Sequence, residues 1–169
     1  MEKIISNLFS KSECDMIISY AMINGLKRQR KMENRNTSFD SVYITPNDDN
    51  IWIFDKIYDC FENKLDMKVI SPLDKIMVNH YMVGDSFDVH RDLYFNKQIY
   101  TMMVNLSIDY EGGEFELFEP YVYIEKGIGN ACIFDNNRLH GVKEITNGDR
   151  WTMLAFFLID NFYKKNKLI

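Results

Sequence analysis

The chain has 169 residues, 46% of them hydrophobic, 27% charged and 14% aromatic, which is enough for one packed core, too short for two, and unlike a disordered polypeptide. A formal net charge of -5 argues against general affinity for nucleic acid or for an anionic membrane, both of which need concentrated positive charge. The three cysteines, Cys14, Cys60 and Cys132, are widely spaced and form no Cys-x-x-Cys pair, so neither a disulfide framework nor a cysteine zinc site is expected.

Ser10 to Asn24 reads as a capped helix. Ser10 or Ser12 can accept a backbone N–H, Glu13 sits in the first turn, and Met16, Ile17, Tyr20 and Ile23 recur at helical spacing before Asn24-Gly25. The basic run Lys27-Arg28-Gln29-Arg30-Lys31 is either a solvated loop or a lid that clamps an acidic partner. Phe39 to Thr45 predicts a strand, and Asp48 to Leu65 a second helix with Ile51, Phe54, Ile57, Tyr58 and Phe61 on one side. After Pro72 short strand-like runs take over: 75–83, 99–108, 114–118, 121–125, 130–134, 139–145 and 150–159, separated by Gly- and Asn-rich turns. The expected fold is mostly β with flanking helices (α+β), a double-stranded β-helix or jelly roll with two N-terminal helices packed on one sheet. One domain is expected over 1–169, with 1–72 as helical N-terminal support and 73–160 as the jelly-roll core. The first residues lack a signal-peptide pattern, and the longest candidate membrane segment, 153–159, is far too short to span a bilayer. A soluble, cytoplasmic protein is the expectation.

His90 and Asp92 are two apart, so on extended backbone they project from one face. His140 lies in a separate predicted strand. Two imidazoles and one carboxylate on one side of a metal leave the opposite positions open, the facial arrangement of non-haem Fe(II) oxygenases. Alone, His-x-Asp is a weak signal. Arg150 follows His140 by ten residues, and its planar fork suits a carboxylate. A simple two-residue hairpin at Asn147-Gly148 would put His140 and Arg150 on opposite faces. Sharing a pocket therefore requires a bulge, or a chain that crosses from one sheet to the other.

The blocks Tyr81-Met82-Val83-Gly84-Asp85-Ser86-Phe87-Asp88-Val89-His90-Arg91-Asp92, Leu106-Ser107 with Tyr110-Glu111-Gly112-Gly113-Glu114, Gly129 to Phe134, and Leu139-His140-Gly141-Val142 through Gly148-Asp149-Arg150-Trp151 resemble, in order and spacing, the 2-oxoglutarate and Fe(II)-dependent dioxygenases of the prolyl 4-hydroxylase-like superfamily. The segment Asp109 to Glu114 is similar to the small bacterial and viral members. The resemblance implies that His90, Asp92 and His140 ligate iron, that Arg150 pairs with the distal carboxylate of 2-oxoglutarate, and that Tyr81 and Thr152 add hydroxyl contacts to that cosubstrate. It implies hydroxylation of a peptide, protein or amino-acid side chain, prolyl being the favoured case, through a ferryl oxidant with release of succinate and CO2, and with ascorbate as a candidate reductant. Arg138 and Tyr43 are candidate substrate contacts, and Trp52 and Tyr94 could line the same groove. Two departures bear on substrate. Gln98 stands where collagen-type prolyl hydroxylases carry a substrate arginine, and Phe156 where nucleic-acid demethylases carry a second arginine. Rival readings are a non-catalytic metal- or 2-oxoglutarate-binding interaction or sensor module on the same barrel, and a His2Asp zinc hydrolase. Substrate identity and oligomeric state are not legible in the residues.

Overall fold

The computed structural model describes residues 2–29, 37–65, 67–69, 73–92 and 99–158. Arg30, Lys31, Tyr94, Gln98 and the Lys164-Lys165-Asn166-Lys167 tail lie outside the described residues. In chain order the elements are β1 (Lys3–Ile5), α1 (Lys11–Asn24), β2 (Lys27–Arg28), β3 (Thr37–Ser38), β4 (Asp40–Ile44), α2 (Ile51–Asp59) with a π-helical turn at Cys60–Lys64, β5 (Ile76–Tyr81), β6 (Ser86–His90), β7 (Ile99–Asn105), β8 (Tyr110–Gly112), β9 (Phe115–Leu117), β10 (Val122–Ile124), β11 (Ala131–Asp135), β12 (His140–Val142), β13 (Ile145–Gly148) and β14 (Arg150–Leu158).

Helix α1 starts where its capping chemistry places it. Glu13 N donates to Ser10 Oγ at 3.3 Å, and Ser10 N donates to Glu13 Oε2 at 2.6 Å, a reciprocal box that satisfies two otherwise free donors. Its buried stripe differs from the one read along the sequence. Cys14, Ile17 and Ala21 face the core, whereas Met16 and Ile23 are 46% and 81% exposed. In α2 the buried side is Ile53, Phe54 and Ile57, and Ile51 is exposed. Neither Asp48 nor Asp49, at the start of the predicted helix, caps it: Asn50 precedes the helix, and its side chain accepts from Asn47 N and donates to the Thr45 carbonyl.

The strands form a seven-stranded sheet, ordered β1-β11-β7-β14-β5-β4-β2, a five-stranded sheet, ordered β10-β9-β12-β6-β3, and a β13-β8 pair. The larger sheet is apolar on both sides. Along β14, Met153, Ala155 and Phe157 join one cluster with Ile17, Ile53, Phe54 and Ile57 of the helices. Leu154, between them, packs with a second cluster that includes Tyr81, Met103, Phe115, Phe134 and Val142. Period-2 alternation thus divides one strand between two cores. The helices cover the outer face, and the inner face looks toward the five-stranded sheet.

The N-terminal part is more than helical support, since β1, β2 and β4 extend the larger sheet and β3 pairs with β6. These segments are two to five residues long, and the shortest are too brief for a period to show. The predicted strand 139–145 is two strands in different sheets: β12 pairs with β6 and β9, and β13 pairs with β8. The chain leaves the smaller sheet after His140–Val142 and enters the larger one at Arg150. Gly148 (φ +72°) permits that corner, because a Cβ there would stand 2.4 Å from the Asp109 carbonyl oxygen. Among the described residues no helix is long and apolar enough to cross a membrane.

The described part of the basic run is not a loop. Lys27–Arg28 pairs with β4, and the Arg28 fork grips Asp85 through both carboxylate oxygens, one of them at 2.7 Å. Burial raises the Asp85 pKa, but Arg28, the Met82 N–H and Ser38 outweigh it and hold the carboxyl below its ordinary value. This stabilisation is full above the ordinary carboxylate pKa and is lost as pH falls through the lowered value of the folded state. Asp85→Asn is expected to cost about 1–3 kcal/mol at neutral pH and to make urea stability less sensitive to acid than in the native chain.

Candidate functional site

Strands β6 and β12 pair with His90 opposite His140, and the two ring centroids are 4.3 Å apart. The register then slips, so that Val142 faces Phe87. This β-bulge turns both Phe87 and His90 inward although they are three residues apart, and the Phe87 ring stacks on the His90 imidazole at 3.8 Å and 15°. Gly141 makes the bulge possible: a Cβ there would lie 3.1 Å from the Phe87 carbonyl oxygen and 3.2 Å from Val89 Cα.

Each imidazole is held by a carbonyl two residues earlier. His90 Nδ1 is 2.7 Å from the Asp88 oxygen, and His140 Nδ1 is 2.8 Å from the Arg138 oxygen. A carbonyl only accepts, so both protons sit on Nδ1 and both Nε2 lone pairs are free. Those Nε2 atoms lie 3.4 and 3.5 Å from the two carboxylate oxygens of Asp92. One ligand atom from each residue lies within 4.8 Å of the others, a spacing that suits one ion with bonds of about 2.0–2.2 Å. Burial lowers the His140 pKa, partly offset by Asp92, and favours the neutral ring a metal requires. Asp92 is tied through its backbone: its N–H donates to the Asn136 carbonyl at 3.0 Å, and Asn136 Nδ2 donates to its carbonyl at 2.8 Å.

Across the same cavity, of about 230 Å³, stands Arg150. It is 1% exposed, its Nε has no hydrogen-bond partner, and among the described residues it enters no ion pair. Its guanidinium carbon is 5.2 Å from the centroid of the Tyr81 ring, its register partner on β5. Burial pushes the Tyr81 phenol up to about 12, against the pull of Arg150, so it remains a protonated donor near neutral pH. Thr152 is 1% exposed and lines the same cavity. Sequence reasoning missed Asn79 and Thr101, both 1% exposed, both on the cavity wall and each with an unpartnered side-chain oxygen. Asn79 was within reach, because it stands two before Tyr81 and shares its face.

The structure separates the remaining candidates. Tyr43 is 53% exposed at the rim of the cavity. Arg138 does not line it. Its guanidinium bonds Glu2, the Phe118 carbonyl and the Pro120 carbonyl, leaving it no reach toward a substrate. Trp52 packs on Phe9 in the helix-side core. His80 faces outward and stacks on Trp151 at 4.0 Å, and Arg91 pairs with Glu119 away from the ligand cluster.

Residues 76–158 match the model of the 2OG-Fe(II) oxygenase superfamily. No curated protein sequence matches the chain. Among solved structures this chain is similar to the viral collagen prolyl hydroxylase of Paramecium bursaria Chlorella virus-1 in its 2-oxoglutarate complex (18% identity, 93% of this chain and 96% of that one, TM-score 0.74). It is also similar to a Pseudomonas putida prolyl-4-hydroxylase (12%, 95% and 93%, 0.74). A third is a Trichoplax adhaerens prolyl hydroxylase bound to a hypoxia inducible factor peptide (14%, 99% and 87%, 0.71). At such identities the likeness establishes the shared jelly-roll fold. The chain's own residues fit the cofactors of the superfamily that this model describes. Two imidazoles and a carboxylate are the donor set for Fe(II) with open positions, and a buried, unpaired guanidinium suits the dicarboxylate 2-oxoglutarate.

A metal that binds only the folded state stabilises it by mass action. Mn(II), as an oxygen-insensitive stand-in, should raise stability by about 2.7 kcal/mol when present at about 100 times its dissociation constant. Calorimetry should show the gain reversed by a chelator and absent in His140→Ala.

Proposed function

We propose that the whole chain acts as a single-domain 2-oxoglutarate-dependent hydroxylase of a peptide side chain, prolyl in the first instance, with His90, Asp92 and His140 as iron ligands. The observation that carries this reading is the Arg150 guanidinium, 1% exposed and without an ion pair among the described residues, on the wall of the cavity that holds the three ligand side chains. An unpaired charge in an apolar interior costs several kcal/mol, and a ligand carboxylate removes that penalty by pairing with it.

When bound, iron and 2-oxoglutarate supply the oxidant, with succinate and CO2 as co-products. The chain's residues do the rest. Arg150 takes the distal carboxylate of the cosubstrate, and the protonated phenol of Tyr81 and the hydroxyl of Thr152 donate beside it. Phe87, Phe115 and Phe134 wall the cavity, which keeps water from the reacting centre. Tyr43, Met77 and Leu154 give the cavity wall an apolar stretch suited to an uncharged ring or aliphatic side chain. The peptide and collagen substrates named for the structural relatives support a peptide acceptor.

The test is anaerobic reconstitution with Fe(II) and 2-oxoglutarate, then exposure to 18O2 with proline-containing peptides. Succinate should form with one labelled oxygen in the peptide. Binding of 2-oxoglutarate with no succinate from any peptide would favour the interaction-module reading. Arg150→Met should weaken 2-oxoglutarate binding by about two orders of magnitude, the equivalent of losing a charge-assisted pair worth about 3 kcal/mol. It should leave the ligand-free protein equally or more stable, because it removes a buried charge that has no ion-pair partner among the described residues.

A further inference from the structure

We infer that Asn136 is a positioning residue for the metal centre: it holds the backbone of Asp92 at both ends and thereby aims the carboxylate. The inference rests on the reading of Asp92 as a metal ligand. His90 and His140 are fixed on paired strands with each ring anchored to a carbonyl, whereas Asp92 lies beyond the end of β6, where the ladder no longer sets its place. Its backbone needs another partner. The Asp92 N–H donates to the carbonyl of Asn136 at 3.0 Å, and the Asn136 side-chain amide donates to the carbonyl of Asp92 at 2.8 Å. One residue 44 positions away thus reproduces the two-bond exchange of a strand pair at the point where the strand has ended.

Three further observations set Asn136 apart from an ordinary turn residue. It is 0% exposed, although a turn position is normally solvated. Among the described residues its buried Oδ1 has no partner, so its amide engages Asp92 through the donor half alone. It also sits in the short connection between β11 and β12, four residues before His140 and two before Arg138, whose carbonyl orients the His140 ring. A single turn therefore reaches two of the three ligands. Bonds to the groups behind metal ligands typically govern affinity by a factor of about 10–100.

The test uses metal-free full-length protein and Mn(II) as the probe, read by the electron paramagnetic resonance of free Mn(II), together with the visible ligand-field spectrum of the Co(II) form. Native protein should bind one Mn(II) and Asp92→Ala should not; failure here would refute the reading of Asp92 and leave Asn136 out of account. With that established, Asn136→Ala should weaken Mn(II) binding about tenfold or more and alter the Co(II) bands. Asn137→Ala, in the same turn but with its side chain off Asp92, should change neither. Asn136→Asp keeps the volume but replaces the donor with an acceptor, and should behave like Asn136→Ala. Affinity and Co(II) bands equal to native in Asn136→Ala, or an equal loss in Asn137→Ala, would overturn the inference. Should neither Asn136 variant fold, the native protein still decides. The side-chain amide protons of Asn136 should be protected from solvent exchange and should shift in nuclear magnetic resonance spectra when Zn(II) binds. Amide signals that exchange freely and do not respond to Zn(II) would overturn it.

Discussion

Arg150 is a positive charge buried between two sheets, and among the described residues it enters no ion pair. Burying a guanidinium carries a desolvation cost, which pairing with a ligand carboxylate offsets. The sheets that enclose it have to be stable for other reasons, and the two apolar clusters on either side of the larger sheet supply them. A cavity whose ligand cluster offers one carboxylate and two imidazoles, with a cation on the same lining, is set up for a small molecule that chelates at one end and carries an acid at the other. The low dielectric of the aromatic walls strengthens both interactions.

The jelly roll is the means by which these groups meet. His140 belongs to the smaller sheet and Arg150 to the larger, and only seven residues, Gly141 to Asp149 less the two that close β12, carry the chain across. The β13-β8 pair forms the corner, and the glycine at its end lets two backbones touch. Within the smaller sheet a single bulge against Gly141 brings the Phe87 ring onto His90. Ligand geometry thus follows from backbone features as much as from the ligands themselves. The helices stay on the far side of the larger sheet, where α1 and α2 are joined by the Lys56 to Glu13 ion pair at 2.6 Å and bury the outer halves of β5, β7 and β14.

The parts of the site that could be read along the chain were those with local rules. The two-residue spacing of His90 and Asp92 directs both to one side, although Asp92 lies past the end of its strand and is bonded there by Asn136; Thr152 takes the face of Arg150 by alternation, and the cap at Ser10 follows from residue chemistry. Arg138 illustrates the limit. It stands two before His140, which on a regular strand would direct it to the metal side, but Glu2 and two carbonyls on the loop after β9 engage its guanidinium, and none of those partners is near it in sequence. Asn136 shows the converse: it reads as turn chemistry until the fold brings it to Asp92.

What the amino-acid order determined by itself was the set of chemical groups and their local directions: two imidazoles, a carboxylate, a guanidinium, and strands whose side chains alternate with period two. Whether His140 and Arg150 face one cavity was decided by the tertiary structure, because a plain hairpin and a sheet-to-sheet crossing use the same residues and place the two side chains on opposite or on common sides. The same holds for the α1 stripe, where Cys14 and Ala21 rather than Met16 and Ile23 meet the core. Packing against a distant surface chose the face, and no local period carries that information.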